Sequence, residues 1–335
     1  MLRSSFDTDM NILVSIQQPV RAWQIPADCV ATLRERFPEI TWTHATDPEA
    51  RARGLEQCDV AFTWILSAAE LATAPRLKWV HTSAVAVETL ALPELFARGI
   101  IVSNTRGVQS APIAEHVLAV TLALAKQLPF VLEGQRERRW TQNEFIGDRL
   151  PWLLKGRTLG LIGIGTIGSE IATRAAAFGM KVVALRRRSG PPIPGVEETL
   201  APGSLDALLE RSDVLVIAAP LTPETLQMIG APELARMKRG SILINVGRAR
   251  IIDHSALADA VRAGHLGGAS LDVYHQEPLP PDDPLWTLPN VILTPHTSGF
   301  RQGHWNDAID LFSENLRCYL RGDRVRFRVE PELGY

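Results

Sequence analysis

Short apolar runs alternate with longer amphipathic segments along most of the chain. Four runs in the first part are typical of buried strands: Ile12–Ser15, Val60–Phe62, Trp79–Thr82 and Ile100–Ser103. Between them, Val30–Arg36 carries apolar residues at helical spacing. Alternation of strands and helices predicts parallel sheets covered by helices, so the expected fold class is α/β.

The same alternation continues in the second half. Four further strands are expected there: Val214–Ala218, Ser241–Asn245, Ala269–Val273 and Val291–Thr294. Ser204 and Asp253 each precede a helical segment and should cap it, because their side-chain oxygens can accept free backbone N–H groups. The last helix, near Trp305–Leu320, has no position left in the second sheet. We expect it to pack on the first sheet and make the first domain discontinuous.

A glycine-rich turn lies between these two groups of strands. It follows a predicted strand at Thr158–Ile164 and precedes a predicted helix at Ile167–Phe178, with another strand at Lys181–Leu185. A strand, a helix and a second strand in this order form one βαβ unit. The 335 residues exceed the usual size of one core. We therefore expect two Rossmann-like domains with doubly wound parallel sheets.

The glycines of this turn read Gly163-x-Gly165-x-x-Gly168. Gly163 permits a tight turn, Gly165 lets a pyrophosphate approach the backbone, and Gly168 lets the helix pack closely on the strand. The helix amino terminus adds free N–H groups and a positive dipole end. An ordinary αβ turn can contain the same glycines, but the flanking strand and helix favour a dinucleotide site.

Three arginines follow the second strand of this unit. Arg186, 23 positions after Gly163, stands where NAD-binding folds carry an acid for the ribose hydroxyls, and Arg187 and Arg188 come next. Guanidinium groups form charge-assisted bonds with phosphate, whereas an acid would repel it. The arginines therefore favour NADP(H) over NAD(H), although NAD(H) is possible. The alternative is that the three arginines form a solvated basic turn and bind no phosphate.

Composition narrows the possible partners. The chain has 35 Lys and Arg against 37 Asp and Glu, so its net charge of -2 gives no basic field for nucleic acid or a membrane surface. Cys29, Cys58 and Cys318 lie far apart, which indicates neither a metal site nor a disulfide framework. The amino-terminal residues show no apolar signal segment. We expect a cytoplasmic protein with a small-molecule ligand and no metal.

Further segments resemble the D-isomer-specific 2-hydroxyacid dehydrogenases in order and spacing. They are Leu77–Val80, Val102–Thr105, Ala114–His116, Ala218–Thr225, Ile244–Asp253, Leu271–Pro278 and Leu293–Gly299. With the glycine motif, the resemblance covers nearly the whole chain. It implies a substrate-binding domain of residues 1–106 and 299–335 and a dinucleotide-binding domain of residues 107–298.

The resemblance also implies a catalytic triad. Arg248 would hold and polarise the substrate, His296 would act as general acid and base, and Glu277 would hydrogen-bond to that histidine. Imidazole suits proton transfer because its pKa lies near neutrality, and a carboxylate partner raises it. His116 is interpreted as a buried structural histidine. Six other histidines are interpreted as loop residues: His44, His81, His254, His265, His275 and His304.

Further binding residues follow from the resemblance. Asp272 would contact the nicotinamide amide, although a strand-end aspartate can also cap a turn. The other implied dinucleotide contacts are Thr166, Ile167, Pro220, Val246, Gly247 and Ser298. Val85 and Ala86 would offer backbone N–H groups to the substrate carboxylate. The family commonly has Val-Gly at these positions, and alanine keeps both donors only if its φ is negative.

The function implied is NADPH-dependent reduction of a small 2-oxo acid, such as glyoxylate or hydroxypyruvate, to the D-2-hydroxy acid. A cleft between the domains should close on the substrate and exclude water. Two alternatives use the same scaffold: a formate dehydrogenase-like enzyme, which needs no proton donor paired with a carboxylate, and a nucleotide-sensing, corepressor-like binding protein.

A homodimer is also expected. The apolar helix Ile113–Lys126 and the arm that follows it to about Trp152 form a long excursion before the glycine motif, where the family dimerises. Trp140, in the arm, is a candidate contact with the neighbouring subunit. The alternative is that the apolar helix only packs against its own sheet.

Overall fold

The structure is a computed structural model that describes residues 10–187 and 190–331. Contacts between Cα atoms divide the chain into two compact units, Met1–Gln109 with Phe300–Tyr335, and Ser110–Gly299. The boundaries expected from the sequence, after residues 106 and 298, lie close to these divisions. The binding roles assigned to the two domains stay predictions.

The first unit begins with five strands and four helices among the described residues. They are β1 (Asn11–Ser15), α1 (Ala27–Arg36), β2 (Thr41–His44), α2 (Pro48–Gln57), β3 (Val60–Thr63), α3 (Ala68–Ala72), β4 (Trp79–Thr82), α4 (Leu92–Ala97) and β5 (Ile101–Asn104). The strands form a parallel sheet in the order β2-β1-β3-β4-β5.

The second unit holds the next elements along the chain. They are α5 (Ser110–Ala125), α6 (Leu128–Arg136), β6 (Thr158–Ile162), α7 (Thr166–Ala177), β7 (Lys181–Leu185), β8 (Glu198–Leu200), α8 (Leu205–Arg211), β9 (Val214–Ile217), α9 (Ala231–Arg236), β10 (Ile242–Asn245), α10 (His254–Arg262), β11 (Gly268–Leu271) and β12 (Val291–Leu293). Their strands form a parallel sheet in the order β12-β11-β10-β9-β6-β7-β8. Two parallel α/β sheets confirm the predicted fold class.

This strand order positions the functional site. The chain runs outward from β6 through β7 to β8 and then crosses to β9 on the other side of β6. Ligands of open parallel sheets bind outside the carboxyl ends of the strands at such a switch point. The turn that begins with Gly163 follows β6 directly and therefore lies at this position.

The last helix, α11 (His304–Leu320), belongs to the first unit, as predicted. Its Phe312 ring stacks on Phe62 of β3 at 4.5 Å between centroids and on Trp79 of β4 at 5.4 Å. All three rings are fully buried, and removal of their large apolar area from water stabilises the packing of the helix. These contacts fix α11 on the first sheet and make the first unit discontinuous in sequence.

The interpretation of His81 as a loop residue is wrong, and so is that of His44 in β2, His254 in α10 and His304 in α11. His81 lies in β4 with no exposed surface. The Ser103 hydroxyl accepts the indole N–H of Trp79 at 2.9 Å and lies 2.7 Å from His81 Nδ1, so it can donate its own proton there. Burial lowers the pKa of His81 to about 3, and the ring is neutral near neutral pH.

Of the two predicted helix caps, only one is present. Asp253 Oδ1 accepts the backbone N–H groups of Ser255 and Ala256 at 2.9 and 3.1 Å. Ser204 precedes α8 but makes no capping hydrogen bond. Ser204 is the last residue of a 3₁₀ turn that begins at Pro202. Its backbone therefore lacks the extended conformation that is usual for a capping residue.

Helix α5 carries most of its apolar residues into the core of the second unit. Within the described ranges, no single helix is both long enough and apolar enough to cross a membrane, whereas α5 and α6 reach that length and composition only as a pair bent by 68°.

Candidate active site

The glycine turn has room where a phosphate is expected and none where packing is expected. Gly163 has φ 92°, and a Cβ there would lie 2.7 Å from the Ala219 backbone. A Cβ on Gly168 would lie 2.3 Å from the Gly163 carbonyl oxygen. A Cβ on Gly165, in contrast, would meet no heavy atom within 4 Å. Open space beside Gly165, at the amino terminus of α7, fits a pyrophosphate group.

Two of the three predicted phosphate-binding arginines can be described, and Arg188 lies outside the described residues. The half-buried Arg186 donates from Nη1 to the Pro191 carbonyl at 3.1 Å, which holds its side chain beside the end of β7. Arg187 is exposed. A hydrogen bond to Thr222 lowers the pKa of Glu224, and the charge of Arg187 adds to that effect.

The central feature of the site is a hydrogen bond between His296 and Glu277. The distance between His296 Nδ1 and Glu277 Oε2 is 2.8 Å. The other carboxylate oxygen, Oε1, accepts the backbone N–H of Tyr274 at 3.0 Å, which fixes the orientation of the carboxylate. The side chains of His296 and Glu277 are 55% and 39% exposed, so a small molecule can reach them.

The electrostatics of this pair favour a protonated imidazole. The hydrogen bond to Glu277 raises the pKa of His296 more than burial lowers it. Burial raises the pKa of Glu277, but the hydrogen bonds from His296 and the Tyr274 N–H outweigh it, and the net pKa is lowered. The charge of Arg248 lowers the pKa of both groups, so its guanidinium acts on the same site.

Arg248 lies on a tightly held loop after β10. Its Nη1 donates to the Gly247 carbonyl at 2.8 Å, and its own carbonyl accepts from Asn245 Nδ2 at 3.0 Å. Asn245 Oδ1 also accepts the Gly247 N–H at 3.0 Å. A Cβ on Gly247 would lie 2.7 Å from the Ala219 carbonyl oxygen, so this position requires glycine.

Asp272 organises the loop that carries His296. It is 1% exposed. Its Oδ1 accepts from the Thr294 hydroxyl at 2.6 Å and from the Thr297 N–H at 2.9 Å, while Oδ2 accepts from the Ser298 N–H at 3.0 Å. This is the turn-capping arrangement considered for a strand-end aspartate. Contact with a nicotinamide amide stays a prediction.

The remaining dinucleotide candidates lie beyond the carboxyl ends of strands in the second unit. Thr166 and Ile167 open α7 after β6, Pro220 follows β9, Val246 follows β10, and the buried Ser298 follows β12. Their roles in binding stay predictions.

The substrate candidates Val85 and Ala86 lie in the first unit, after β4. The Val85 carbonyl accepts from Asn104 Nδ2 at 2.8 Å, which anchors the loop. Ala86 does not have a positive φ, so alanine fits the backbone here. Among the residues that the structure describes, none accepts a hydrogen bond from the backbone N–H of Val85 or Ala86.

Two residues without a predicted role, Tyr274 and Thr294, support the candidate triad. The Tyr274 hydroxyl lies 2.8 Å from the carbonyl oxygens of both Leu271 and Thr294. Both residues stand inside motifs already singled out, in the segments of Glu277 and His296. Their position beside catalytic candidates at strand ends is the signal that could have identified them.

Comparisons with known proteins find relatives along most of the chain. Residues 118–298 match the family described as "D-isomer specific 2-hydroxyacid dehydrogenase, NAD binding domain". A glyoxylate reductase of Korarchaeum cryptofilum is 34% identical over 308 residues, which cover 90% of this chain and 92% of that protein.

Solved structures give the same result. The NADPH-dependent glyoxylate/hydroxypyruvate reductase of Sinorhizobium meliloti, in complex with NADP and sulfate, has a TM-score of 0.81 and 26% identity over 97% of this chain and all (100%) of that one. The D-lactate dehydrogenase of Aquifex aeolicus, complexed with NAD and lactic acid, has a TM-score of 0.75 and 26% identity over 93% and 96% of the two chains. The chain therefore belongs to the D-isomer-specific 2-hydroxyacid dehydrogenase family, as its motifs indicated, and is an NAD(P)-dependent oxidoreductase.

Proposed function

We propose that this enzyme reduces a small 2-oxo acid, of the glyoxylate or hydroxypyruvate type, with NADPH and forms the D-2-hydroxy acid. The observation that carries the proposal is the 2.8 Å hydrogen bond between His296 Nδ1 and Glu277 Oε2. The charge of Arg248 lowers the pKa of both groups, so its guanidinium belongs to the same site. A proton donor with a carboxylate partner and a nearby guanidinium are the groups that carbonyl reduction requires.

The roles of the three side chains follow from their chemistry. The bound dinucleotide supplies the hydride. Protonated His296 donates from Nε2 to the substrate carbonyl oxygen, since Nδ1 is engaged by Glu277. Glu277 stabilises the imidazolium, and Arg248 holds the substrate carboxylate and polarises the carbonyl. In oxidation of the hydroxy acid, the neutral imidazole takes the proton back.

Several features support a dinucleotide as the cofactor and NADP(H) as the preferred form. The open space beside Gly165 fits the pyrophosphate, and Arg186 and Arg187 stand at the end of β7, where the 2′-phosphate would bind. The relative from Sinorhizobium meliloti binds NADP, whereas the one from Aquifex aeolicus binds NAD. These relatives do not decide between the two nucleotides, and the support for NADP(H) comes from the position of Arg186 and Arg187 in this chain.

The similarity to a glyoxylate reductase supports a short substrate. The backbone N–H groups of Val85 and Ala86, which have no acceptor among residues 10–187 and 190–331, are suitable donors for a carboxylate. Initial rates with a panel of 2-oxo acids and both reduced nucleotides would identify the substrate. Multiple turnovers of NADPH with glyoxylate would support the proposed reduction, whereas binding of NADPH without its consumption by any acid of the panel would contradict it.

Replacing His296 with alanine should lower kcat by roughly 10² to 10⁴, the usual contribution of a general acid. Binding of NADPH, followed by fluorescence titration, should be retained. His44→Ala is the matched control, because His44 lies on the edge strand β2 of the other unit. Near-normal turnover by His296→Ala would refute the assignment.

Replacing Glu277 with glutamine should move the pH profile of reduction to lower pH. Glu277 raises the pKa of His296, so the imidazole of the variant loses its proton at a lower pH and the reduction rate falls earlier as pH rises. The measurement is kcat against pH with saturating NADPH. A midpoint equal to that of the unmodified enzyme would contradict the pairing.

The double variant Arg186→Asp, Arg187→Ala should reverse the order of kcat/KM for NADPH and NADH. We expect the unmodified enzyme to prefer NADPH by roughly tenfold to a thousandfold, on the order of 1.4 to 4 kcal/mol. Arg236→Ala, which removes a surface arginine on α9, serves as the control and should keep the preference. Equal use of both nucleotides by the unmodified enzyme would eliminate the proposed role of the arginines.

We further propose a homodimer formed through α5, α6 and the arm to about Trp152. Large apolar side chains are exposed along this segment: Leu128, Leu132, Trp140, Ile146, Leu150 and Leu153. Such a concentration of exposed apolar side chains is typical of an interface.

Light scattering should give twice the 36.8 kDa chain mass. Trp140→Ser should weaken the dimer, because it removes an exposed apolar side chain from this segment. Trp286→Ser, elsewhere on the surface, is the control and should leave the dimer intact. A monomer at micromolar concentration would disprove the proposal.

A further inference from the structure

His296 has an unusual backbone conformation. Its φ is 55°, in the left-handed region that residues with a side chain rarely adopt. Such a conformation persists only where the surrounding structure fixes it. The hydrogen bond to Glu277 involves only the imidazole, so other contacts must hold the backbone.

Thr294 makes several of the contacts that hold this backbone. Its carbonyl accepts the His296 N–H at 2.9 Å and lies 2.8 Å from the Tyr274 hydroxyl. Its N–H donates to the Leu271 carbonyl at 3.0 Å, which continues the pairing of β12 with β11. The backbone of Thr294 therefore connects the sheet edge to His296.

The hydroxyl of Thr294 fixes the other side of the loop through Asp272. It donates to Asp272 Oδ1 at 2.6 Å, and the same carboxylate accepts the N–H groups of Thr297 and Ser298. His116 Nε2 lies 3.5 Å from this hydroxyl. Residues before and after His296 thus converge on one buried carboxylate, and the threonine hydroxyl is the one side-chain donor among these three hydrogen bonds.

We propose that Thr294 is a positioning residue, whose hydroxyl orients Asp272 so that the loop holds the His296 imidazole against Glu277. The catalytic importance of this arrangement rests on the proposed function, but the arrangement itself does not. Thr294 need not touch substrate or cofactor. Loss of its hydroxyl should allow the loop to leave the left-handed conformation, and the imidazole would meet Glu277 for only part of the time.

The test compares Thr294→Val, which has nearly the same shape but no hydroxyl, with Thr294→Ser, which keeps the hydroxyl. For Thr294→Val we expect kcat to fall by about tenfold to a hundredfold, from loss of a hydrogen bond to a charged group, with KM for both substrates unchanged. Thr294→Ser should restore most of kcat. Thr287→Val, at an exposed threonine, controls for the substitution itself.

A second measurement does not depend on any substrate. The pKa of His296 can be followed by NMR titration of its ring protons, assigned by their absence in His296→Ala. The charged groups that act on this ring are Glu277, Asp272 and Arg248. In Thr294→Val, less frequent contact with Glu277 should lower the pKa, and Thr294→Ser should restore it.

The outcomes separate this inference from the proposed function. Normal kcat and an unchanged His296 pKa in Thr294→Val, or a Thr294→Ser variant as impaired as Thr294→Val, would overturn the positioning role. If the unmodified enzyme reduces no 2-oxo acid, the proposed function fails while the NMR comparison still decides the role of Thr294. Should Thr294→Val not fold by circular dichroism, Thr294→Ala removes the same hydroxyl and carries the same comparison.

Discussion

The buried carboxylate of Asp272 is the constraint on which the geometry of the site depends. A carboxylate with almost no access to water must receive hydrogen bonds from the protein, because an unpaired buried charge is strongly destabilising. The donors come from one side chain and two backbone N–H groups on both sides of His296. Hydrogen bonding to Asp272 therefore also fixes the path of the chain on both sides of His296, the proposed general acid.

The parallel sheet explains how distant residues form one site. Arg248, Glu277 and His296 are well separated in sequence, but they follow β10, β11 and β12, which are consecutive neighbours in the sheet. Because parallel strands end at the same edge, the loops after them meet there. The glycine turn after β6 lies at the same edge, two strands from β10.

Sequence patterns were sufficient for features that depend on local chemistry. Apolar runs identified β4 and β7 to the residue, and the glycine spacing predicted a turn in which Gly163 and Gly168 tolerate no side chain. The edge strands β2 and β8 were not singled out, because they are only partly buried and lack a strong apolar signal. The surroundings of His81 and the role of Thr294 depend on contacts between segments far apart in sequence, which periodicity does not encode.

The close packing around Ala219 has a mechanical consequence. Its backbone atoms occupy the space where side chains at both Gly163 and Gly247 would otherwise lie. The glycine turn after β6 and the Arg248 loop after β10 therefore both pack against Ala219, which follows the intervening strand β9. A displacement of either loop is transmitted to the other through this residue, so sequence changes in the two loops should not have independent effects.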